Sequence, residues 1–356
     1  CDCVGGRLDG GIVITKHGHA QGPIGSLLIR EAGHPVPDQD TFSATEEALA
    51  LTDGLTAEDT VLFLLSGGGS ALFEAPLVPQ EELQSITQSL LASGADIVEM
   101  NTIRKRLSAV KGGRFAQHCA PAKVFSIVLS DIIGDPLDMI ASGPAYPDSS
   151  TCADARRIAE QYGLRLSPEA SQCLERETPK VLDNVETLIT GSVRELCAAA
   201  SAACRELGYE PVLLTDSLDC QAREAGAFLA AVARAHQDTD CSLAFLAGGE
   251  TVVHLTGSGL GGRNQELALS AAAGIAGLED TAVFSLGSDG TDGPTDAAGG
   301  FVDGGTKERL ARQGVRIFEV LKNNDAYHAL AACGGLLHTG ATGTNVNDVA
   351  VLLIRR

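Results

Sequence analysis

The chain has 356 residues, of which 44% are hydrophobic and 20% charged, and its formal net charge is −20. That length suits two domains of ordinary size with a sizeable core, and the balance excludes a disordered or fibrous habit. The negative charge excludes a broad electrostatic grip on nucleic acid or anionic lipid, while a small anionic substrate responds to the local field of a cleft. No apolar stretch reaches the roughly 18 residues that cross a bilayer, and the opening CDCVGGRLDGG has no signal-peptide features, so a cytoplasmic location is expected. The ten cysteines are scattered without a Cys-x-x-Cys pair, which indicates neither a zinc site nor a redox dithiol.

Apolar strand-like runs alternate with helical patterns, the habit of α/β domains with mostly parallel sheets. In chain order the strand-like runs are 12–15, 61–65, 124–129, 187–190, 211–215, 243–247, 252–256, 283–286 and 349–354. Amphipathic helical patterns cover 81–91, 153–161, 193–207 and 222–235, and a further helical run, 265–272, follows a glycine-rich loop. The polar stretch 149–184 reads as a hinge. Two α/β domains are expected, 1–180 and 181–356, facing a central cleft, with ligands gathered at loops beyond the carboxyl ends of the strands.

Several of those loops carry chemistry. The run 61–65 leads into Ser66-Gly67-Gly68-Gly69-Ser70, where backbone N–H groups can converge on an anion; without a Gly-Lys-Ser/Thr ending it is not a Walker loop, and a turn that packs a helix on its sheet explains it equally well. NTIRKRLSAVKGGR concentrates Arg104, Lys105, Arg106, Lys111 and Arg114 in an acidic protein, which favours attraction of phosphate or carboxylate over a plain solvated face. Asp131 directly follows the run 124–129 and is placed to hold Mg²⁺ or accept a hydroxyl proton, though a turn or capping role competes.

Farther along, Gly257-x-Gly259-x-x-Gly262 matches the dinucleotide fingerprint only weakly, because no acidic residue closes a second strand at the right distance. Arg263 is the sharper feature, since a guanidinium among glycines can bond phosphate oxygens in pairs, and Glu250 is a further loop carboxylate. GSDGTDGPTDAAGG follows the run 283–286; its Asp289 and Asp292 suit Mg²⁺ beside a phosphate cradle, and an Asp/Gly turn without a ligand is the plainer alternative. Asn323, Asn324, Asp325, Thr344, Asn345 and Asp348 stand in polar loops as readers of hydroxyl and carboxylate groups.

Taken together, KHGHA, EAGHPVPD, SGGGSAL, NTIRKRLSAVKGGR, SDIIGDPLDMIASGP, GGETVVHLTGSGLGGRNQELAL, GSDGTDGPTDAAG and TGATGTNVNDVAVLLI resemble the glycerate 2-kinase family, in family order over nearly the whole chain. The carboxy-terminal half of that family is called MOFRL, and older descriptions of it read hydroxypyruvate reductase. The resemblance implies a Rossmann-like first domain, a MOFRL-type second domain, and ATP- and Mg²⁺-dependent phosphorylation of D-glycerate at the 2-hydroxyl, giving 2-phosphoglycerate and ADP. It implies Arg263 as the catalytic arginine and Ser66–Ser70 as the phosphate cradle. It also implies an earlier segment with a Gly-Ala-Gly-Lys-Ala motif, ahead of the stretch GGIVITKHGHA, whose lysine is the other catalytic residue of the family.

The reading that follows makes Asp289 and Asp292 the Mg²⁺ anchors, Arg263 the stabiliser of the transferring group, and Asp131 or Asp289 the acceptor of the hydroxyl proton. Arg104, Lys105 and Asn324 are expected at the substrate. The expected partners are D-glycerate and a nucleotide, with no nucleic acid or membrane, and a homodimer is admitted. An NAD(P)H-dependent hydroxypyruvate reductase and an inactive nucleotide-binding fragment are the alternatives.

Overall fold

Why each unit takes its shape can be followed from its strands. In the computed structural model, which describes residues 5–20, 22–130, 134 and 136–356, the chain divides into two compact units. The first comprises the chain up to Val128 together with Pro136–Thr190, and the second comprises Gly191–Arg356 with the short piece after Val128. The first unit therefore extends past the expected boundary at residue 180.

In the first unit the order is β1 (Ile12–Lys16), β2 (Leu28–Ala32), α1 (Gln39–Leu51), β3 (Thr60–Leu65), α2 (Gly69–Leu72), α3 (Gln80–Ala92), α4 (Ile97–Arg106), α5 (Arg114–Cys119), β4 (Lys123–Leu129), α6 (Cys152–Gln161), α7 (Pro168–Leu174) and β5 (Val185–Gly191). β1 and β2 pair in parallel, as do β3 and β4 in a sheet of order β3-β4-β5. Leu83, Ile86, Leu90, Ile103 and Ile158 bring α3, α4 and α6 together in one core. Phe63, Phe73 and Phe115 form a second, with ring centroids 5.0–5.8 Å apart. Asp38, Asp96 and Thr151 start α1, α4 and α6, each in a reciprocal bond pair with the third residue of its helix.

The second unit runs α8 (Val193–Glu206), β6 (Glu210–Leu218), α9 (Ala222–Ala235), β7 (Leu243–Gly249), α10 (Arg263–Gly274), β8 (Thr281–Gly287), β9 (Gly299–Asp303), α11 (Thr306–Arg312), α12 (Ile317–Lys322), α13 (Ala326–Cys333), β10 (Leu336–Leu337) and β11 (Asp348–Ile354). Its six strands lie in the order β10-β9-β8-β11-β7-β6. Leu229, Leu267, Ala271 and Leu352 pack α9 and α10 on the sheet, while Val193 and Cys197 of α8 meet Leu246 and Val351 in a separate core. Burying each such leucine contributes about 1.5–3 kcal/mol.

The α/β class is as expected, but strand direction in this sheet is not. β6 and β7 pair in parallel, whereas β7–β11, β11–β8, β8–β9 and β9–β10 are antiparallel. The cause is that β11, late in sequence, inserts between β7 and β8. A strand buried on both faces reads as a continuous apolar run whichever way it points.

Insertion of β11 also explains why 252–256 is not a strand. Both sides of β7 are occupied, so this segment keeps a single bridge between Val252 and Gln221, and the Thr256 amide bonds the side chain of Asn324 instead. Among the described residues no helix is long and apolar enough to cross a membrane.

Candidate active site

At one end of the six-stranded sheet, the last residues of β7 and β8 flank the first of β11: Asp348 is registered with Gly249 on one side and Gly287 on the other. The loop after β7 returns at Gly262 to start α10, whose first residue is Arg263. Its guanidinium reaches Asp348 along one edge, with Nε donating to Oδ2 at 2.5 Å and Nη2 to Oδ1 at 3.1 Å. Nη1 also donates to Glu250 Oε1, and Glu250 Oε2 accepts from Asn347 Nδ2 at 3.3 Å.

The Arg263 side chain remains 31% exposed although Asp348 is only 9% exposed. Burial works against the arginine's charge, but the bonds and charge of Asp348, joined by Glu250, hold its pKa above the usual range. Burial raises the Asp348 carboxyl, with Arg263 pulling the other way. Three of the five guanidinium N–H groups are thus used for orientation, and two remain for an incoming oxyanion.

The structure separates the two aspartates expected to share a metal. Asp289 is half-buried, and its carboxylate folds back on Thr291, accepting from the amide at 2.9 Å and the hydroxyl at 3.0 Å. It borders Gly287 from one side while Asp348 borders it from another: a Cβ on Gly287 would stand 3.1 Å from Asp289 Oδ1 and 3.4 Å from Asp348 Oδ1. Two hard carboxylate oxygens around a bare Cα are the donor chemistry that Mg²⁺ takes.

Asp292 is different. It is 2% exposed, and its oxygens accept from the amides of Asn264 at 3.1 Å and Gln265 at 2.8 Å, inside the start of α10. Burial pushes its pKa up to about 6 even though those amides favour the charged form. Sunk among the helix amides at 2% exposure, Asp292 turns no open edge to an ion, unlike the half-buried Asp289, and does not fit a metal ligand in this arrangement.

The same amides decide the fingerprint. A dinucleotide pyrophosphate needs the N-terminal N–H groups of the following helix and a bare glycine path. Here Asp292 takes those N–H groups. The glycines serve chain packing, because a Cβ on Gly257 or Gly259 would lie 2.4 Å from Asn323 or Asp325. Asn324, expected at the substrate, is spent on the same loop. Its Oδ1 accepts from the amides of Thr256 at 2.7 Å and Gly257 at 2.9 Å, and its Nδ2 donates to His254 O and Glu266 Oε2 at 3.1 Å each.

In the first unit the Ser66–Ser70 loop connects β3 to the short α2, with Gly68 at φ 83°. His34 Nε2 lies 3.0 Å from the position of a Cβ on Gly68, and Ser70 Oγ pairs at 3.0 Å with Ser142, whose hydroxyl donates to Asn101 Oδ1 at 3.0 Å. Ala141 and Ser142 both have left-handed backbone, φ 49° and 61°, a strain that such sites often hold.

Most of the basic stretch turns inward. Lys105 is fully buried between Asp148 at 3.0 Å and Asp138 at 3.3 Å, so its ammonium is an internal ion-pair member and not a group presented to a substrate. Lys111, also buried, donates to the carbonyls of Ser70 and Phe73 at 2.8 Å and pairs with Glu74 at 3.2 Å, and burial lowers its pKa to about 8. Arg106 is tied to Ser150, and Arg114 to backbone carbonyls. Arg104 donates to Ser70 O at 3.3 Å, and no carboxylate within ion-pair distance is recorded for it among the described residues. Burial lowers its pKa. Asp131 lies outside the described residues.

Comparison with known proteins adds to this geometry. A model of the MOFRL family matches residues 243–348, and one described as a domain of unknown function (DUF4147) matches 3–175. The chain is 53% identical to D-glycerate 2-kinase of Thermotoga maritima over 359 residues, covering 99% of this chain and 86% of that protein. It belongs to the glycerate 2-kinase family. The glycerate 2-kinase of Pyrococcus horikoshii is 38% identical, covering 98% of this chain and 82% of that one. The crystal structure of glycerate kinase from Thermotoga maritima matches with a TM-score of 0.96 at 52% identity, over 99% of this chain and 87% of that chain.

In this glycerate 2-kinase family member, Arg263, Glu250, Asp289 and Asp348 each stand out in the sequence, but their convergence does not. That convergence depends on β11 lying beside β7 and β8, which no local pattern encodes. His34 and Ser142 against the glycine loop had no assigned role, although their stretches EAGHPVPD and IASGP carry part of the family resemblance.

Proposed function

We propose that the protein is a glycerate kinase that transfers the γ-phosphoryl group of ATP to the 2-hydroxyl of D-glycerate with Mg²⁺. The observation that carries this reading is Arg263, oriented by Asp348 and Glu250 at the end of β7 and β8, in a chain 53% identical to a D-glycerate 2-kinase. The glycerate hydroxyl oxygen attacks the γ-phosphorus, the bond to the β–γ bridging oxygen breaks, and ADP leaves. Charge grows on the equatorial oxygens of the transferring group, and a fixed guanidinium placed against them lowers the barrier without reorganising.

Asp289 and Asp348 are the residues that would hold Mg²⁺, through the oxygen lone pairs left over from their bonds to Thr291 and Arg263. When bound, the ion supplies positive charge to the nucleotide's phosphate oxygens. The hydroxyl proton passes to a carboxylate, for which Asp131 and Asp289 are the candidates; the pH–rate profiles of Asp131→Asn and Asp289→Asn separate them. In the first unit, Ser66–Ser70 is assigned to phosphate oxygens and Arg104 to the carboxylate of glycerate. What supports Arg104 over its neighbours is that Lys105, Arg106 and Lys111 already face carboxylates.

The reductase alternative loses its footing because Asp292 holds the helix amides that a dinucleotide would need. The deciding assay supplies ATP, Mg²⁺ and D-glycerate, follows ADP release, and assigns the product as 2- or 3-phosphoglycerate by ³¹P NMR. No ADP release with D-glycerate, or oxidation of NAD(P)H with hydroxypyruvate, overturns the reading.

A further inference from the structure

We propose that Asp292 is a positioning residue for Arg263, acting as the N-cap of α10 from a turn 30 residues away in sequence from the cap position, Gly262. This inference rests on the reading of Arg263 as the group that meets the transferring phosphoryl.

The first N–H groups of a helix need acceptors, and a cap side chain ordinarily serves the second and third helical residues. In α10 those residues are Asn264 and Gln265, and both amides go to the Asp292 carboxylate. Gly262 occupies the cap position with extended backbone, φ −134°, and has no side chain to offer. A Cβ there would stand 2.2 Å from Asp292 Cγ. The remote carboxylate therefore fills the space of the missing local one.

The consequence is mechanical. A cap side chain at position 262 would tie α10 only to its own loop, and none fits there, since a Cβ would also lie 2.5 Å from the Asp292 carbonyl carbon. Asp292 caps it equally while tying it to the turn after β8, which also carries Asp289. Further bonds stiffen the same joint: Thr295 Oγ1 donates to Asp292 O and Gln265 Nε2 donates to Thr295 Oγ1, each at 2.8 Å, and Ser285 Oγ donates to Asn264 Oδ1 at 2.5 Å. Arg263 is the first residue of α10, so the two amides after it fix where its stem begins. The guanidinium and the Asp289 carboxylate are thereby held in one frame. With its end amides occupied, α10 leaves the oxyanion to the arginine.

The test uses Asp292→Ala and Asp292→Asn; a serine at Gly262 cannot stand in as a local cap, because its Cβ would lie 2.5 Å from the backbone carbonyl carbon of Asp292 whatever the side chain there. Folding is checked by thermal unfolding, and Asp292→Asn, which keeps one acceptor, serves should Asp292→Ala fail to fold. The expected result is that Asp292→Ala lowers kcat about tenfold with the half-activating Mg²⁺ concentration unchanged, and that Asp292→Asn recovers part of the loss.

A readout independent of turnover is the exchange rate of the Arg263 Nε–H followed by NMR, expected to quicken in Asp292→Ala and to lie nearer the wild-type value in Asp292→Asn. An increase of the half-activating Mg²⁺ concentration with unaltered Arg263 exchange, or Asp292→Ala with the kcat and Arg263 exchange of the wild type, overturns the proposal. A wild-type protein without glycerate kinase activity would remove the reading of the site, and the exchange measurement would still show whether the cap holds the arginine.

Discussion

The stretch 104–114 and the lone Arg263 make opposite use of positive charge. In the first, five cations stand close together in sequence, yet Lys105 and Lys111 are wholly buried against Asp148, Asp138 and Glu74 and serve the interior of their unit. In the second, a single arginine among glycines keeps part of its surface open while two carboxylates orient it. Density of charge along a chain therefore says less about ligand binding than the partners each charge finds. A cation whose hydrogen-bonding capacity is used up inside the fold contributes to structure, and one held by only part of that capacity can receive a ligand.

The contrast can be broken experimentally, most severely at Lys105. Lys105→Met removes the nearer of the two cations paired with Asp148, leaving Arg106 at 3.7 Å, and should lower the free energy of unfolding by about 3 kcal/mol in a denaturant titration, while the folded fraction keeps its KM for D-glycerate. Arg263→Ala should act chiefly on turnover, lowering kcat on the order of a hundredfold, with a smaller fall in the unfolding midpoint because Asp348, whose pKa burial already raises, can take up a proton once the arginine is gone. If Lys105→Met instead raises KM with stability intact, or Arg263→Ala turns over normally, the two regions have been assigned the wrong way round.

Gly287→Ala sharpens the second region. A methyl group 3.1 Å from Asp289 Oδ1 and 2.8 Å from Thr291 O should raise the half-activating Mg²⁺ concentration about tenfold, with kcat recovered at saturating metal.

The smallest effect concerns Asp292. Burial lifts its pKa to about 6, above the value of roughly 3.9 for a free aspartate, so the folded state binds more proton than the unfolded state between those limits. Its contribution to stability is present below the lower limit and is lost as the pH rises through 6. Asp348, whose charge also raises it, stays in place in the variant Asp292→Asn. The unfolding free energy of wild type minus that of Asp292→Asn should accordingly decline from pH 4.5 to pH 6.5, and a flat difference would contradict the shift.

Much of this architecture is readable from local pattern. β3, β4, β7, β8 and β11 follow apolar runs bounded by glycine or polar residues, and α3, α6, α8 and α9 follow helical spacing. β9 and β10 escape notice because one opens on Gly299-Gly300 and the other has two residues.

At the site, Arg263 stands out for its chemistry, and Asp289 for its place after a strand. Asp292 misleads because a cap is sought just before its helix, and this one arrives from another loop. Asn324 misleads for a similar reason: a polar residue in a loop looks available until the loop it supports, 254–257, is seen to claim both ends of its amide.

The position of β11 has a bearing on how the protein is made. It follows every other described strand in the chain, yet it fills the gap between β7 and β8 and brings Asp348 to Arg263. During synthesis, β7 and β8 must wait on the ribosome with neighbouring edges open until residue 348 and those after it emerge, a period in which apolar strand edges invite mispairing. A nascent chain stalled before that point has the arginine and Glu250 but lacks Asp348, the carboxylate that takes the Nε edge, so chemical competence arrives together with closure of the sheet.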